Sequence, residues 1–259
     1  MRTITRPESM TTKYIYVMGS ESGAGKSTVC MGILAQLLES GLAPTQLAYI
    51  KPVTQCTAKQ DVALFCGQTK IHHTDIGSLV FRKGFSKDFI DGLTKSSDEL
   101  MADVLASIQV VCKNKAVVII DGVGDPTVGS VVGLSNVDVA ISLPCKVIFV
   151  GKPGIGAALD NTVLCVSYMQ SKGLRNIGII YNKIPLSAFA EIKKYVTKRL
   201  PELLPGTTLL GFIGNDQSIE TQLKNNASKE IAQWFSFYIH ENILFGWLGL
   251  PPKNHSSKN

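Results

Sequence analysis

The run Tyr14-Ile-Tyr-Val-Met-Gly-Ser-Glu-Ser-Gly-Ala-Gly-Lys-Ser-Thr28 restricts this chain more than any other part of it. Five β-prone residues lead into a glycine-rich turn, and the turn opens an apolar helical stretch. Gly23 and Gly25 let the backbone curl until its N–H groups line a concavity sized for phosphate. The positive end of the following helix adds to the attraction for an anion. Lys26 supplies a point charge for the β- and γ-phosphates of a nucleoside triphosphate, and Ser27 a hydroxyl for Mg²⁺. Strand, loop and helix in this order are the context that a Walker A motif requires, with Gly23, Ala24, Gly25, Lys26, Ser27 and Thr28 as the nucleotide-binding residues. The loop is one residue longer than the common pattern: Ser20 stands where a glycine is usual, and the glycine comes one position earlier, at Gly19.

A phosphate loop of this kind needs a sheet to stand on, and the rest of the chain supplies one. Short β-branched runs at Tyr14–Met18, Leu47–Ile50, Ala116–Ile120, Lys146–Val150 and Ile177–Tyr181, with a weaker one at Thr208–Phe212, read as buried strands. Helical patterns fall between them at Ser27–Ser40, Asp98–Lys113, Ala157–Lys172 and Ser187–Leu200, with Gly41 and Gly173 placed as C-terminal caps. The alternation predicts an α/β domain of the P-loop NTPase type, with a mainly parallel sheet and helices on both faces. One domain spans 13–250, between polar tails at 1–12 and 251–259; a length of 259 residues suits one such domain better than two. Residues 68–96, rich in Gly, Lys, His and Asp, resist assignment and suggest excursions near the ligand end of the sheet.

Composition narrows the partners. The net charge of +6 is spread along the chain with no run of five basic residues, which favours a small anionic ligand over nucleic acid. Six cysteines at 30, 56, 66, 112, 145 and 165 make no C-x-x-C pair, and residues 1–13 lack the apolar centre of a signal peptide. Free thiols in a reducing, cytoplasmic compartment are expected. The most apolar stretch, Ile231–Leu250, is broken by Gln233, His240, Glu241 and Asn242, so a core helix or subunit contact is expected there, not a membrane span.

The second chemical landmark is Asp121, just past Ala116-Val-Val-Ile-Ile120. An acid at the end of a buried strand beside a phosphate loop is the Walker B arrangement, holding Mg²⁺ directly or through water.

With these residues in view, the chain resembles the dethiobiotin synthetases over roughly 14–215. Their phosphate loop has the same extra residue as Gly19-Ser-Glu-Ser-Gly-Ala-Gly-Lys-Ser27. Tyr49-Ile-Lys-Pro-Val53 resembles their second-strand Lys-Pro-Val, and Asp121-Gly-Val-Gly124 their Glu-Gly-Ala-Gly. Leu143–Val150 with Gly154-Ile-Gly156 resembles the next strand and its glycine turn, and Gly178-Ile-Ile-Tyr-Asn182 matches a strand that ends in an adenine-reading Asn. The wider group includes cobyrinic acid diamide synthetases and the N-terminal domains of some phosphotransacetylases. The resemblance implies an ATP-dependent ligase in which a carbamate formed on a diamine is phosphorylated and a second amine closes a ring. It implies that Lys26 and Lys51 flank the γ-phosphate and the carbamate and that Ser22 contacts the carbamate. It further implies that Ser27, Asp61 and Asp121 hold Mg²⁺, that Asn182 hydrogen-bonds adenine, and that the protein is a homodimer.

Several residues depart from that pattern. Residue 121 is Asp where Glu is usual, Asp125 replaces a glycine, and Thr54-Gln-Cys56 follows Lys-Pro-Val in place of small Ser/Gly residues. The Ser-Pro-His segment of the family's substrate cavity is absent; Arg82-Lys-Gly-Phe-Ser-Lys-Asp-Phe89 stands there, either as cations for an anionic substrate or as a solvated loop. The nucleotide half is therefore better supported than the diamine half. The substrate is expected to be a small diamine or carboxylate. Two other readings stay open: a regulatory ATPase whose nucleotide switches a partner contact, and a small-molecule kinase. Glu21 stands where the Min/Par ATPases carry a second lysine, so a dimer-bridging lysine is not expected. His72-His73 with Asp75 reads as a polar loop and Cys56 as a bystander thiol, while Asp91 and Asp160 are open between a site role and a solvated acid.

Overall fold

A computed structural model describes residues 12–55, 61–216 and 228–250. Cys56 and nearly all of both tails lie outside the described residues. Seven strands form one wholly parallel sheet: β1 (Lys13–Gly19), β2 (Leu47–Ile50), β4 (His72–Thr74), β6 (Val117–Asp121), β7 (Cys145–Gly151), β8 (Ile177–Ile184) and β9 (Thr208–Gly214). Their order is β4-β2-β6-β1-β7-β8-β9, with a two-stranded parallel pair, β3 (Val53–Thr54) and β5 (Leu79–Val80), set apart from it. The six expected strands are all present. The seventh, β4, contains the histidine pair read as a polar loop; it pairs with β2 at the sheet edge, where His72 is exposed and the segment lacks the apolar run that marks a buried strand.

Period-two alternation divides the strands between two cores. Tyr16, Met18, Ile120, Phe149 and Tyr181 face one layer, packed by α4 (Ser97–Cys112), α5 (Asn136–Ile141), α6 (Gly156–Ser171) and α7 (Phe189–Leu203). Ile15, Val17, Tyr49, Ile119 and Ile180 face the other, packed by α1 (Lys26–Glu39), α2 (Asp61–Thr69), α8 (Ser228–Tyr238) and α9 (Glu241–Leu248). The remaining helix, α3 (Phe85–Ile90), has no fully buried residue and rests on the edge of the first layer through Phe85 and Phe89. Because the sheet is covered on both faces, its central strands read as continuous apolar runs.

The four expected helices are found within one to three residues of their predicted ends. Both predicted glycine caps adopt positive φ, +101° at Gly41 and +103° at Gly173. The N–H groups of Leu42 and Leu174 reach back to the carbonyls of Leu37 and Met169, closing each helix in the Schellman manner. The apolar stretch 231–250 is two helices broken at Ile239-His240, and both belong to the core. Phe235 of α8 packs so closely on Gly32 of α1 that a β-carbon there would lie 2.2 Å from its ring. Gln36 donates to Ser236 Oγ and to the Ile239 carbonyl at 2.9 and 3.0 Å, locking the same helix pair. Among the described residues no helix is long and apolar enough to cross a membrane.

Candidate active site

The parallel sheet places the carboxyl ends of β1, β2 and β6 side by side, and the chain leaving each of them builds the site. The phosphate loop is tethered at its entrance to both neighbours of β1. Gly19 N–H donates to the Gly124 carbonyl at 3.2 Å and Ser20 N–H to the Val150 carbonyl at 2.9 Å. At its exit Gly25 caps α1 with φ +90°, ψ +29°; no side chain caps this helix and no acid lies in its first turn. A helix start with no side-chain cap and a positive dipole is a seat for an anion. Gly23 turns at φ +82° and is exposed with Ser22, Ala24 is buried, and Ser27 and Thr28 are half-buried.

Lys26, Lys51 and Asp121 converge at the mouth of this loop. Asp121 is fully buried at the end of β6, with Lys51 Nζ 3.7 Å from its Oδ2. Lys26 is itself only 8% exposed. Burial lowers its pKa first of all; Asp121 opposes that shift and Lys51 adds to it. Both cations thus act on one buried carboxylate. The Asp121 Oδ2 also accepts a hydrogen bond from the Tyr49 hydroxyl at 2.9 Å, while Oδ1 is buried with no hydrogen-bond partner. An orphaned, desolvated carboxylate oxygen is costly, and a divalent cation or its bound water would satisfy it. Among the described residues no group of three or more His, Cys, Asp or Glu side chains is assembled for a metal. An ion here would therefore depend on Asp121, the Ser27 hydroxyl, water and substrate oxygens, a ligand set that suits a hard cation. Asp61, the expected third ligand, opens α2 and is exposed.

The loop after Asp121 is braced from below. Asn136 accepts from Val123 N–H at 3.1 Å through Oδ1, which also receives the Tyr16 hydroxyl, and donates to the Val123 and Asp125 carbonyls at 2.7 and 2.6 Å. Asp125, the unusual acid, accepts from the Thr127 N–H and hydroxyl through Oδ1, and its charge acts weakly on Lys26.

Asn182 reaches the same place from β8. Its carboxamide Nδ2 donates to the Ala24 and Gly25 carbonyls at 3.1 and 3.4 Å, and its Oδ1 accepts from Lys183 N–H. Lys183, held at φ +57°, donates from Nζ to the Gly23 carbonyl at 2.8 Å. A β-carbon on Gly25 would lie 2.1 Å from Asn182 Nδ2, which is why glycine stands there. In this arrangement both ends of the Asn182 amide grip the phosphate loop and its neighbour, a positioning role beside the adenine contact that the resemblance implied.

Arg82–Phe89 forms α3 and the turn before it. With Gln55, Phe81 and the 128–132 segment it encloses a cavity of about 300 Å³, apolar at Phe81, Phe85 and Val132 and basic at Arg82 and Lys87. Of its lining, Gln55 lies shortly after Lys51 in the chain and the 128–132 segment shortly after Asp121. Arg82 is tied to Asp88 at 2.6 Å. Sequence reasoning missed Tyr49, Asn136 and Lys183 as site components. Tyr49 shares a sheet face with Asp121 only through the register of β2 on β6, and the long-range bonds of Asn136 and Lys183 had no local signal.

Comparison with known proteins bears on the family and the fold. A family described as "AAA domain" matches residues 13–222. The ATP-dependent dethiobiotin synthetases of Bacillus subtilis subsp. natto and of Bacillus subtilis strain 168 are each 24% identical over 240 residues, covering 91% of this chain and 98% of theirs. The enzyme of Methanococcus vannielii is 23% identical over 66% of this chain and 79% of its own. Among solved structures, the MinC:MinD cell division complex and MinD of Aquifex aeolicus superpose with TM-scores of 0.54 and 0.51. Each is 14% identical and covers 87% of this chain and 95% of that one. These two bear on the fold alone, and the fold they share is that of the parallel α/β sheet described above.

Proposed function

This chain belongs to the AAA-domain family matched over residues 13–222 and is a dethiobiotin synthetase-like P-loop NTPase, and from that premise we propose an ATP- and Mg²⁺-dependent ligase that activates a carbamate or carboxylate by phosphorylation for attack by an amine. The observation that carries the reading is the pair of lysines, Lys26 and Lys51, acting on the one buried carboxylate Asp121. A nucleotide-binding loop needs one lysine. A second cation carried on the neighbouring strand supports a second anion brought against the γ-phosphate, whose mutual repulsion the lysines offset. Lys26 and the N-terminal N–H groups of α1 hold the β- and γ-phosphates. Lys51 holds the acceptor oxyanion in line, with Ser22 on the open side of the loop. Mg²⁺, held by Asp121 and Ser27, with Asp61 the further ligand that the resemblance implies, would neutralise charge on the transferred phosphoryl group. The basic cavity at Arg82 and Lys87 receives the remainder of the acceptor. A homodimer is part of the proposal, and light scattering tests it.

The deciding experiment is phosphate release from Mg-ATP by the purified protein, with and without diaminopelargonic acid plus bicarbonate, with Lys26→Ala as the blank. Release that requires both additions supports a dethiobiotin synthetase. Release that requires a different amine or acid keeps the ligase and changes its substrate. Release indifferent to every acceptor sinks the ligase and favours a nucleotide-switched ATPase.

A further inference from the structure

Asp121 is shorter by one methylene than the Glu common at this position among the proteins it resembles, and it is fully buried beside two lysines. Lys51 already pairs with one oxygen of this short carboxylate, and rotation could bring the other oxygen onto a lysine as well. The structure contains a device against this. β2 and β6 pair in parallel with Tyr49 opposite Ile119, so Asp121 lies two residues further along β6, on the same sheet face as Tyr49. That diagonal is too long for most side chains but within the reach of an aromatic one. The Tyr49 ring is completely buried among residues of the α1 and α2 layer, which leaves its hydroxyl little freedom, and it ends 2.9 Å from Asp121 Oδ2. Lys51 meets the same oxygen from the side at 3.7 Å. Oδ1 is left buried and without a partner.

We infer that Tyr49 is a positioning residue that holds Asp121 in the one orientation that reserves Oδ1 for a divalent cation or its water. Tyr49 touches neither nucleotide nor metal; it acts through Asp121. The inference rests on the nucleotide half of the function proposed above and is independent of which acceptor is ligated.

Tyr49→Phe removes the hydroxyl and keeps the ring. Two quantities are measured on the full chain: Mn²⁺ affinity in the presence of a non-hydrolysable ATP analogue, by electron paramagnetic resonance, and affinity for the same analogue in EDTA. The expected result is Mn²⁺ affinity weakened by about 10-fold or more, the usual effect of removing a group that orients a metal ligand, with metal-free nucleotide affinity unchanged. In an Asp121→Asn background, Tyr49→Phe should have no further effect on Mn²⁺. Unchanged Mn²⁺ affinity in the single variant, or an equal loss of both affinities, overturns the inference. A crystal structure of the unmodified protein with Mn²⁺ and the analogue tests it without any variant. The ion, or its water, on Oδ1 with the Tyr49 bond retained supports it; an ion that displaces Tyr49 from Oδ2 overturns it. Absence of acceptor-dependent phosphate release would sink the ligase and leave these outcomes as they stand.

Discussion

The nucleotide end of the candidate site and the wall formed by residues 72–93 are built by opposite means. Around Lys26 and Asp121 the chain leaves adjacent strands of five to seven residues. The loops are cross-tied by Gly19 to Gly124, Ser20 to Val150, Asn136 to the loop after β6, and Asn182 with Lys183 to the phosphate loop. The 72–93 wall has a three-residue strand, a two-residue strand and a six-residue helix, with Ile90 and Leu93 at 72% and 75% exposure. Rigid elements hold a constellation to the tolerance that phosphoryl chemistry requires, and loosely built segments vary at small cost to stability. On the function proposed above, the difference would assign the reaction class to the sheet and the choice of acceptor to the wall.

The largest effect should come from breaking the nucleotide end. Lys26→Ala is expected to lower acceptor-dependent phosphate release by about 100-fold or more, with stability unchanged or raised because a buried charge has been removed; a rate assay and a thermal melt read the two. Gly25→Ala adds a β-carbon against Asn182 at positive φ, and it should cost about 1–3 kcal/mol in denaturant titration while weakening nucleotide binding. Asn182→Ala frees the loop without a clash. The loss of two modest hydrogen bonds should weaken nucleotide affinity by about 10-fold, measured calorimetrically; an unchanged value would mean that the clasp is incidental. The sheet layers should also set the alkaline limit of stability. Burial raises the Cys66 and Cys145 thiols from 9.0 to about 12, and burial with the Cys112 contact raises Tyr14 from 10.0 to about 12. In that window the unfolded chain releases protons that the folded chain keeps, so stability from these groups is complete below pH 9 and lost as pH rises toward 12. The lowered pKa values of Lys26 and Lys146 work in the opposite direction, but the raised groups, Cys165 and Tyr181 among them, outnumber these two lysines, so the melting temperature should fall above pH 9. The smallest change in stability is expected in the wall. Arg82→Ala breaks an exposed ion pair and should alter stability by less than about 1 kcal/mol, while raising KM for the acceptor and leaving nucleotide affinity unchanged.

Much of the nucleotide end was legible because its signals are local. A glycine at positive φ, a lysine at a helix start and an acid at the end of an apolar run each announce themselves within a few residues. The wall was not legible for the same reason. β4 is an edge strand with an exposed histidine, β5 pairs with β3 away from the main sheet, and α3 packs only its partly buried Phe85 and Phe89 on the core, so none carries the apolar period by which elements are read. Asn136 and Lys183 escaped notice because a polar residue in a loop gains meaning only from a partner, and theirs are 13 and 160 residues away in the chain.

The sequence by itself determined a parallel α/β sheet with a phosphate loop at the end of its first strand, since backbone preference and burial pattern act over a few residues. Only the tertiary structure decided how Asp121 is oriented, that Asn182 and Lys183 clasp the loop, and that 231–250 folds as two core helices, the first of them packed on α1. Each of these depends on which side chains the strand order 4-2-6-1-7-8-9 brings within hydrogen-bond distance, and strand order is a property of the packed chain as a whole.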